Sequence, residues 1–225
     1  ESRPKTAVLA LVAAICCAAA LPLAAQGAGQ QVPTIEPRLT RLFSDDSLEI
    51  RAFGGPVLSP DGQWVLFCTE AAEIASLWVV PAAGGDLVRL TSGRHADGRP
   101  AWFPSGDRIA FLSDRPSAPG NPQSYVMVLP LDPRTGRAAG PPQQVTLEPA
   151  MRFAVSPDGQ WIAYSTRRNT VFTLMVIPST GGSARTLSEE PGPEMIRGIH
   201  WSRDGAFVYF TQRRTGTQVR RIVRV

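Results

Sequence analysis

A chain of 225 residues with 20 glycines and 21 prolines has the punctuation of many short strands joined by tight turns, which argues against an architecture of long helices. Its formal charge of +4 is carried almost wholly by arginine, Lys5 being the only lysine; the arginines are scattered along the chain, which fits a GC-rich coding sequence and excludes nucleic acid as the expected partner. Of three cysteines, Cys16 and Cys17 sit together in an apolar run, so no disulfide framework or thiolate metal site can be built, and Cys68 reads as a small hydrophobe on a strand.

Arg3 and Lys5, the apolar run 7–23 and the small residues 24–28 reproduce the three parts of a secretory signal peptide. The expectation is a leader over 1–27, cleaved between Ala25 and Ala28. The remainder is then periplasmic or secreted, with no stable membrane insertion after cleavage. The run is nearly long enough to span a bilayer, but Pro22 and the small-residue tail favour cleavage over a retained anchor. Ile15 before Cys16 does not fit a lipidated cysteine. A polar linker and lead-in segment, 28–54, follows.

From residue 55 the text becomes regular. Ser59-Pro60-Asp61-Gly62 and Ser156-Pro157-Asp158-Gly159 are each followed by Gln-Trp and an apolar run, and looser copies stand at Phe103-Pro104-Ser105-Gly106 and Ser202-Arg203-Asp204-Gly205. Recurrence at roughly 44 to 53 residues signals a repeat architecture. Each unit reads as a short strand ending in this turn, a second strand, a loop, a third strand, a glycine turn and a fourth strand. The units span 55–91, 99–147, 151–187 and, in part, 196–225. In the second unit, 115–123 and 133–142 read as lengthened loops, and in the fourth the third strand falls at 217–225.

Alignment of the second strands gives one column of Val65, Ile109, Ile162 and Val208, and two residues on a column of Phe67, Phe111, Tyr164 and Phe210. Strand side chains alternate with period two, so both columns lie on one face. The opposite face carries Trp64, Leu66 and Cys68 in the first unit and Phe207, Tyr209 and Thr211 in the fourth. A sheet apolar on both sides must be covered on both sides, as a propeller blade is by its neighbours, whereas a two-sheet sandwich would leave one face polar. The expected fold is therefore an all-β propeller of four-stranded antiparallel blades, about three and a half of them present. Closed propellers have four to eight blades, so the expectation is a fragment of a larger propeller that exposes a blade edge and associates through it.

Proline followed by Asp-Gly is hairpin chemistry: proline presets its φ, aspartate bonds nearby backbone, and glycine takes the positive φ of a tight turn. Ser105 replaces aspartate in the second copy and Arg203 replaces proline in the fourth, while glycine stands in all four. Pro60, Asp61, Gly62, Pro104, Gly106, Pro157, Asp158, Gly159, Asp204 and Gly205 accordingly read as structural rather than catalytic.

The run Pro100-Ala101-Trp102-Phe103-Pro104-Ser105-Gly106, continuing at Ile109-Ala110-Phe111-Leu112-Ser113-Asp114-Arg115, together with Leu77-Trp78-Val79-Val80-Pro81, Gly84-Gly85 and Leu90-Thr91, resembles the TolB-like β-propeller repeat, related to WD-type repeats. The resemblance covers about residue 55 to the end. Such repeats occur in the periplasmic TolB protein, in the N-terminal propellers of exported prolyl oligopeptidase and dipeptidyl-peptidase-like serine peptidases, and ahead of some amidohydrolases. Leu39-Thr40, Leu42-Phe43-Ser44 and Ser47-Leu48 are similar to the segment that leads into the peptidase propellers. The resemblance implies a non-catalytic scaffold that binds a protein or peptide. Its alternative is a substrate-gating propeller of a serine peptidase whose catalytic domain lies beyond this chain.

No Gly-x-Ser-x-Gly elbow is present, and no glycine-rich loop opens a helix to cradle phosphate, so no cofactor is expected. The two histidines are the candidates for a ligand face. His95 lies between the last strand of one blade and the first of the next, and His200 precedes Trp201 on an innermost strand; neither has a second ligand at zinc-site spacing. Arg167-Arg168 and Arg213-Arg214 fall at matching outer turns, where they read as wet hairpins or as a patch for an acidic partner.

Overall fold

A computed structural model describes residues 41–43, 55–71, 74–93, 95–117, 123–169, 171–191, 196–213 and 220–225. The chain divides into compact units Glu1–Leu39 and Thr40–Val225, and every described residue belongs to the second. The expected leader, and all of the lead-in segment except 41–43, lie outside the described residues.

Four antiparallel sheets follow one another along the chain as propeller blades. The first contains β1 (Val57–Leu58), β2 (Trp64–Ala71), β3 (Ile74–Pro81) and β4 (Val88–Arg89). The second contains β5 (Gly98–Trp102), β6 (Arg108–Ser113) and β7 (Tyr125–Asp132), with β8 (Arg137–Ala138) and β9 (Gln143–Gln144) both paired to β7. The third contains β10 (Arg152–Val155), β11 (Trp161–Arg168), β12 (Val171–Pro178) and β13 (Arg185–Pro191). The fourth has three strands, β14 (Arg197–Trp201), β15 (Val208–Arg213) and β16 (Arg220–Arg224). The innermost strands meet in the order β1, β5, β10, β14.

The period-two alternation of the second strands determines how the blades stack. Ile109 and Phe111 of β6 pack with Leu66, Cys68, Leu77 and Val79 of the first blade. Ala110 and Leu112, on the other face of the same strand, pack with Ile162, Tyr164, Met175 and Ile177 of the third. Val208 and Phe210 in turn face Ala163, Phe172 and Leu174. The large aromatic column of each blade thus points toward the blade before it. Among the described residues no blade precedes Phe67, and Phe43 stacks on it instead, with ring centroids 5.4 Å apart and planes 7° from parallel.

Indole hydrogen bonds tie neighbouring blades at their inner strands. Trp102 Nε1 donates to the Val57 carbonyl (3.1 Å) and Trp201 Nε1 to the Ala154 carbonyl (3.1 Å). Those two carbonyls occupy matching positions in β1 and β10, as the ladder registers show. Val155 stands at the equivalent place in the third blade and has no indole to donate. Each such bond contributes roughly 0.5–1.5 kcal/mol, against roughly 1.5–3 kcal/mol for every fully buried Phe, Leu or Ile in the same interface. Apolar packing therefore holds the blades together, and the indoles set their register.

The stretch 133–142, expected as a lengthened loop, instead folds back as β8 against the end of β7. Asp132 organises the reversal, accepting from the Arg134 amide (2.9 Å) and the Thr135 hydroxyl (3.0 Å), while the Gly136 amide donates to the Asp132 carbonyl (2.8 Å). Trp64 of the first blade covers this turn and donates its indole to the Pro133 carbonyl at 2.9 Å. Gly136 has φ +65°, and a Cβ there would lie 2.7 Å from the Trp64 ring.

Gly136→Ala is therefore expected to destabilise the domain by about 2–4 kcal/mol, through overpacking and an unfavourable φ. Denaturant melts of Gly136→Ala, Trp64→Leu and the double variant check this. Because the clash disappears when the ring does, the double variant should be less destabilised than the sum; simple additivity would show that the turn does not dock on Trp64.

Candidate functional site

The inner strands have two ends with different chemistry. At one end stand the four turns. In the first, the Ser59 hydroxyl donates to Asp61 Oδ1 (2.5 Å), the Gln63 amide donates to the same oxygen (3.0 Å), and the Trp64 amide donates to the Ser59 hydroxyl (2.9 Å). The set recurs at Ser156, Asp158, Gln160 and Trp161, and at Ser202, Asp204, Ala206 and Phe207. In the second blade, where Phe103 replaces serine, the Ser105 hydroxyl donates to Asp107 instead. The four glycines have φ between +70° and +73°, a conformation that costs glycine nothing.

The turns also touch one another in sequence. Gly106 sits against the Pro60 ring, Gly159 against Pro104 and Gly205 against Pro157, and Arg108 lies over the Phe103 ring while reaching the Gly159 carbonyl at 3.3 Å. Proline thus stands wherever the next turn's glycine rests on it. The copy carrying Arg203 is the one with no following turn among the described residues.

Hydrogen bonds from the serine hydroxyl and then from the backbone hold Asp61, Asp158 and Asp204 below the ordinary carboxylate range. A carboxyl whose folded value is depressed stabilises the fold above its unfolded value, about 4, and that contribution disappears as pH falls through the folded value. The thermal midpoint should therefore drop on acidification below about pH 4, and Asp158→Asn should flatten part of that drop. An unchanged acid limb in Asp158→Asn would remove this turn from the explanation.

At the opposite end lie the strand starts, the loops between blades and the turns joining second and third strands. His95 is half-exposed there, with Nδ1 3.5 Å from Asp114 Oδ1. Two residues on, Asp97 is buried and gripped by both terminal nitrogens of Arg115, with Oδ2 2.7 Å from one of them. That guanidinium also reaches the Ser113 hydroxyl (2.9 Å) and lies over the Phe111 ring. The Asp-Arg pair therefore fixes the 95–98 segment to the second blade, and His95 is held beside it. His200 is exposed on β14, opposite Tyr209, with Nε2 near Gly198. The two histidines are not brought into one site by any contact among the described residues.

Of the residues that do converge, sequence reasoning singled out Arg167 and missed Arg99 and Arg152. A cleft of about 560 Å³ opens between the second and third blades, lined by Arg99, Arg152, Arg167 and Asn169 with Gln123, Ser124 and Met151 among its other walls. Arg167, expected on an outer hairpin that is either solvated or a patch for an acidic partner, is exposed beside the β11–β12 turn and also lines this cleft, and its Nε donates to the Asn169 carbonyl (2.9 Å). Its neighbour Arg168 pairs with Glu148 at 2.6 Å. The available signal was an arginine within the first two residues of each of three consecutive inner strands: Arg99, Arg152 and Arg197.

Antiparallel blades of three to five strands, stacked through two apolar faces and turned at a repeated Ser-Pro-Asp-Gly hairpin, define a β-propeller of the TolB type. The TolB beta propeller domain model matches residues 49–219, and the chain belongs to that family. It is 36% identical over 59 residues to Atu1656, an uncharacterized protein of Agrobacterium fabrum, a match covering 26% of this chain and 20% of that protein. Among solved structures it is similar to a putative TolB from Agrobacterium tumefaciens, at 25% identity and TM-score 0.59, covering 77% of this chain and 57% of that one. It also shares the fold of a prolyl endopeptidase, at 18% identity and TM-score 0.55, covering 75% of this chain and 24% of that one. The chain thus spans less than two thirds of the length of each of these relatives. Among the described residues, no helix is long and apolar enough to cross a membrane.

Proposed function

We propose that this chain is an exported, non-catalytic TolB-like propeller module whose strand-start face binds another protein or a peptide. The observation that carries the reading is the cleft between the second and third blades. Its walls are strand starts and tight turns anchored in packed sheets, which is where a propeller presents side chains with little loss of order on binding. The 1–27 leader pattern supports export, and the turn aspartates, each engaged by a serine hydroxyl and a backbone amide, support a structural role for the opposite face.

A second reading follows from the prolyl endopeptidase neighbour: the same face gates substrates toward a catalytic domain elsewhere in the gene product. Fluorophosphonate labelling of the full-length product separates the two, with no labelled serine expected for the binding module and labelling expected for the peptidase. In parallel, a displayed random-peptide library panned on the purified chain should yield peptides binding at about micromolar strength. Met151→Trp, which places a large ring in the cleft, should abolish that binding. Failure to enrich any peptide would count against the binding-module reading.

A further inference from the structure

The ladder registers align Arg152 with Arg197 and place Arg99 one residue further on, at the position of Gly198. Gly98 pairs with Leu112 and Ala101 with Ala110, so Arg99 and Pro100 together oppose one residue of β6. Arg197 pairs with Thr211 and His200 with Tyr209, so Gly198 and Ile199 do the same on β15. Both strands carry a β-bulge at the same place, and its first residue is left-handed in each: φ is +53° at Arg99 and +58° at Gly198. Glycine is the residue that adopts this bulge position without strain. The second blade puts an arginine there, and backbone strain of this sort persists where a side chain has a use for the position.

The regular inner strand of the third blade places Arg152 opposite Ser165, the register position that Arg197 holds in the fourth. Arg99, Arg152 and Arg167 then meet in the cleft. Among the described residues, the carboxylates nearest to it are engaged: Glu148 by Arg168, Asp97 by Arg115, and Asp114 by the Ala96 amide and His95. Burial, and then the neighbouring Arg99 and Arg197 guanidinium groups, make Arg152 a weaker base than an ordinary arginine. Like charges gathered in a partly enclosed cleft, flanked by the charge-compensated pairs Glu148–Arg168 and Asp97–Arg115, make a positive spot confined to that cleft.

We propose that this cleft is a carboxylate-binding site that takes an acidic segment of a peptide or protein partner, held by the Arg99, Arg152 and Arg167 guanidinium groups. This deepens the binding-module reading above and rests on it. The planar guanidinium fork matches a carboxylate in a bidentate way that a point charge does not. Leu112, Ala150 and Met151 offer apolar contact to a neighbouring side chain, and Gln123, Ser124 and Asn169 offer partners for a peptide backbone. A nucleic acid would want a basic stripe running beyond the cleft, whereas Arg115 and Arg168 on either side are spent on their own carboxylates.

The test uses fluorescence anisotropy with a short fluorescein-labelled peptide alternating glutamate with leucine, its glutamine counterpart, and a single-stranded DNA oligonucleotide of equal charge. At about 50 mM salt the acidic peptide should bind about tenfold or more tightly than the glutamine peptide, and the difference should shrink as salt rises. Arg152→Gln and Arg167→Gln should each cost about tenfold in affinity. Arg99→Gly is the sharper variant: it should lose affinity while the thermal midpoint holds or rises, because glycine relieves the bulge. Equal binding of the two peptides, unchanged affinity in the Arg152→Gln/Arg167→Gln double variant, or tighter arginine-dependent binding of the oligonucleotide would each overturn the proposal. If uncharged library peptides occupy the cleft while the acidic peptide does not, the carboxylate inference falls and the binding-module reading stands; if no peptide binds, both fall.

Discussion

Blade-on-blade packing through the two faces of each second strand is the interaction on which everything else depends. A sheet with Ile109 and Phe111 on one side and Ala110 and Leu112 on the other cannot leave either side in water without losing several kcal/mol of burial. Stacking satisfies both at once. With the blades stacked, the indoles of Trp102 and Trp201 come within reach of the preceding inner strand, and the turn glycines come to rest on the preceding turn prolines. These smaller contacts are consequences of the packing, and they fix how far each blade is rotated relative to the last.

This arrangement separates two tasks between the two ends of the inner strands. At the turn end the polar groups are turned inward on their own hairpins: serine to aspartate, aspartate to amide, amide to serine. At the strand-start end the guanidinium groups of the second and third blades point into a cleft with their nearest carboxylates already engaged. Rigid sheets carry both ends, so the spacing of the arginines is set by the distance between packed blades and not by loop conformation.

Much of the fold was legible because it depends on period and on turn chemistry. The column Phe67, Phe111, Tyr164, Phe210 has the alternation of a strand buried on both faces, and Asp-Gly after proline marks a hairpin wherever it falls. Less of the candidate site could be read. A left-handed arginine leaves no local signature, because the sequence signal for that backbone is glycine, and Arg99 lacks it where Gly198 shows it. The β8 reversal was hidden for a different reason: Pro133, Gly136 and Gly140 look like loop, and what stabilises the fold-back is Trp64, an aromatic from another blade far away in sequence. Arg167 looked like a solvated hairpin because the strand starts it faces belong to other parts of the chain.

The stacking of Phe43 on Phe67 matters beyond its share of buried area. Blade interfaces in this protein are heterologous: the aromatic column of one blade fits the opposite face of another, and a surface of that kind can propagate from molecule to molecule unless its terminal faces are occupied. Phe43 occupies the aromatic face of the first blade with a residue of the same chain. In the fourth blade the Arg224 guanidinium lies 4.4 Å from the centroid of the Phe207 ring, on the face opposite its aromatic column. The two outer faces of the described stack are therefore unequal: the aromatic face of the first blade is occupied by Phe43, whereas the opposite face of the fourth keeps Phe207 and Ile222 in contact with solvent.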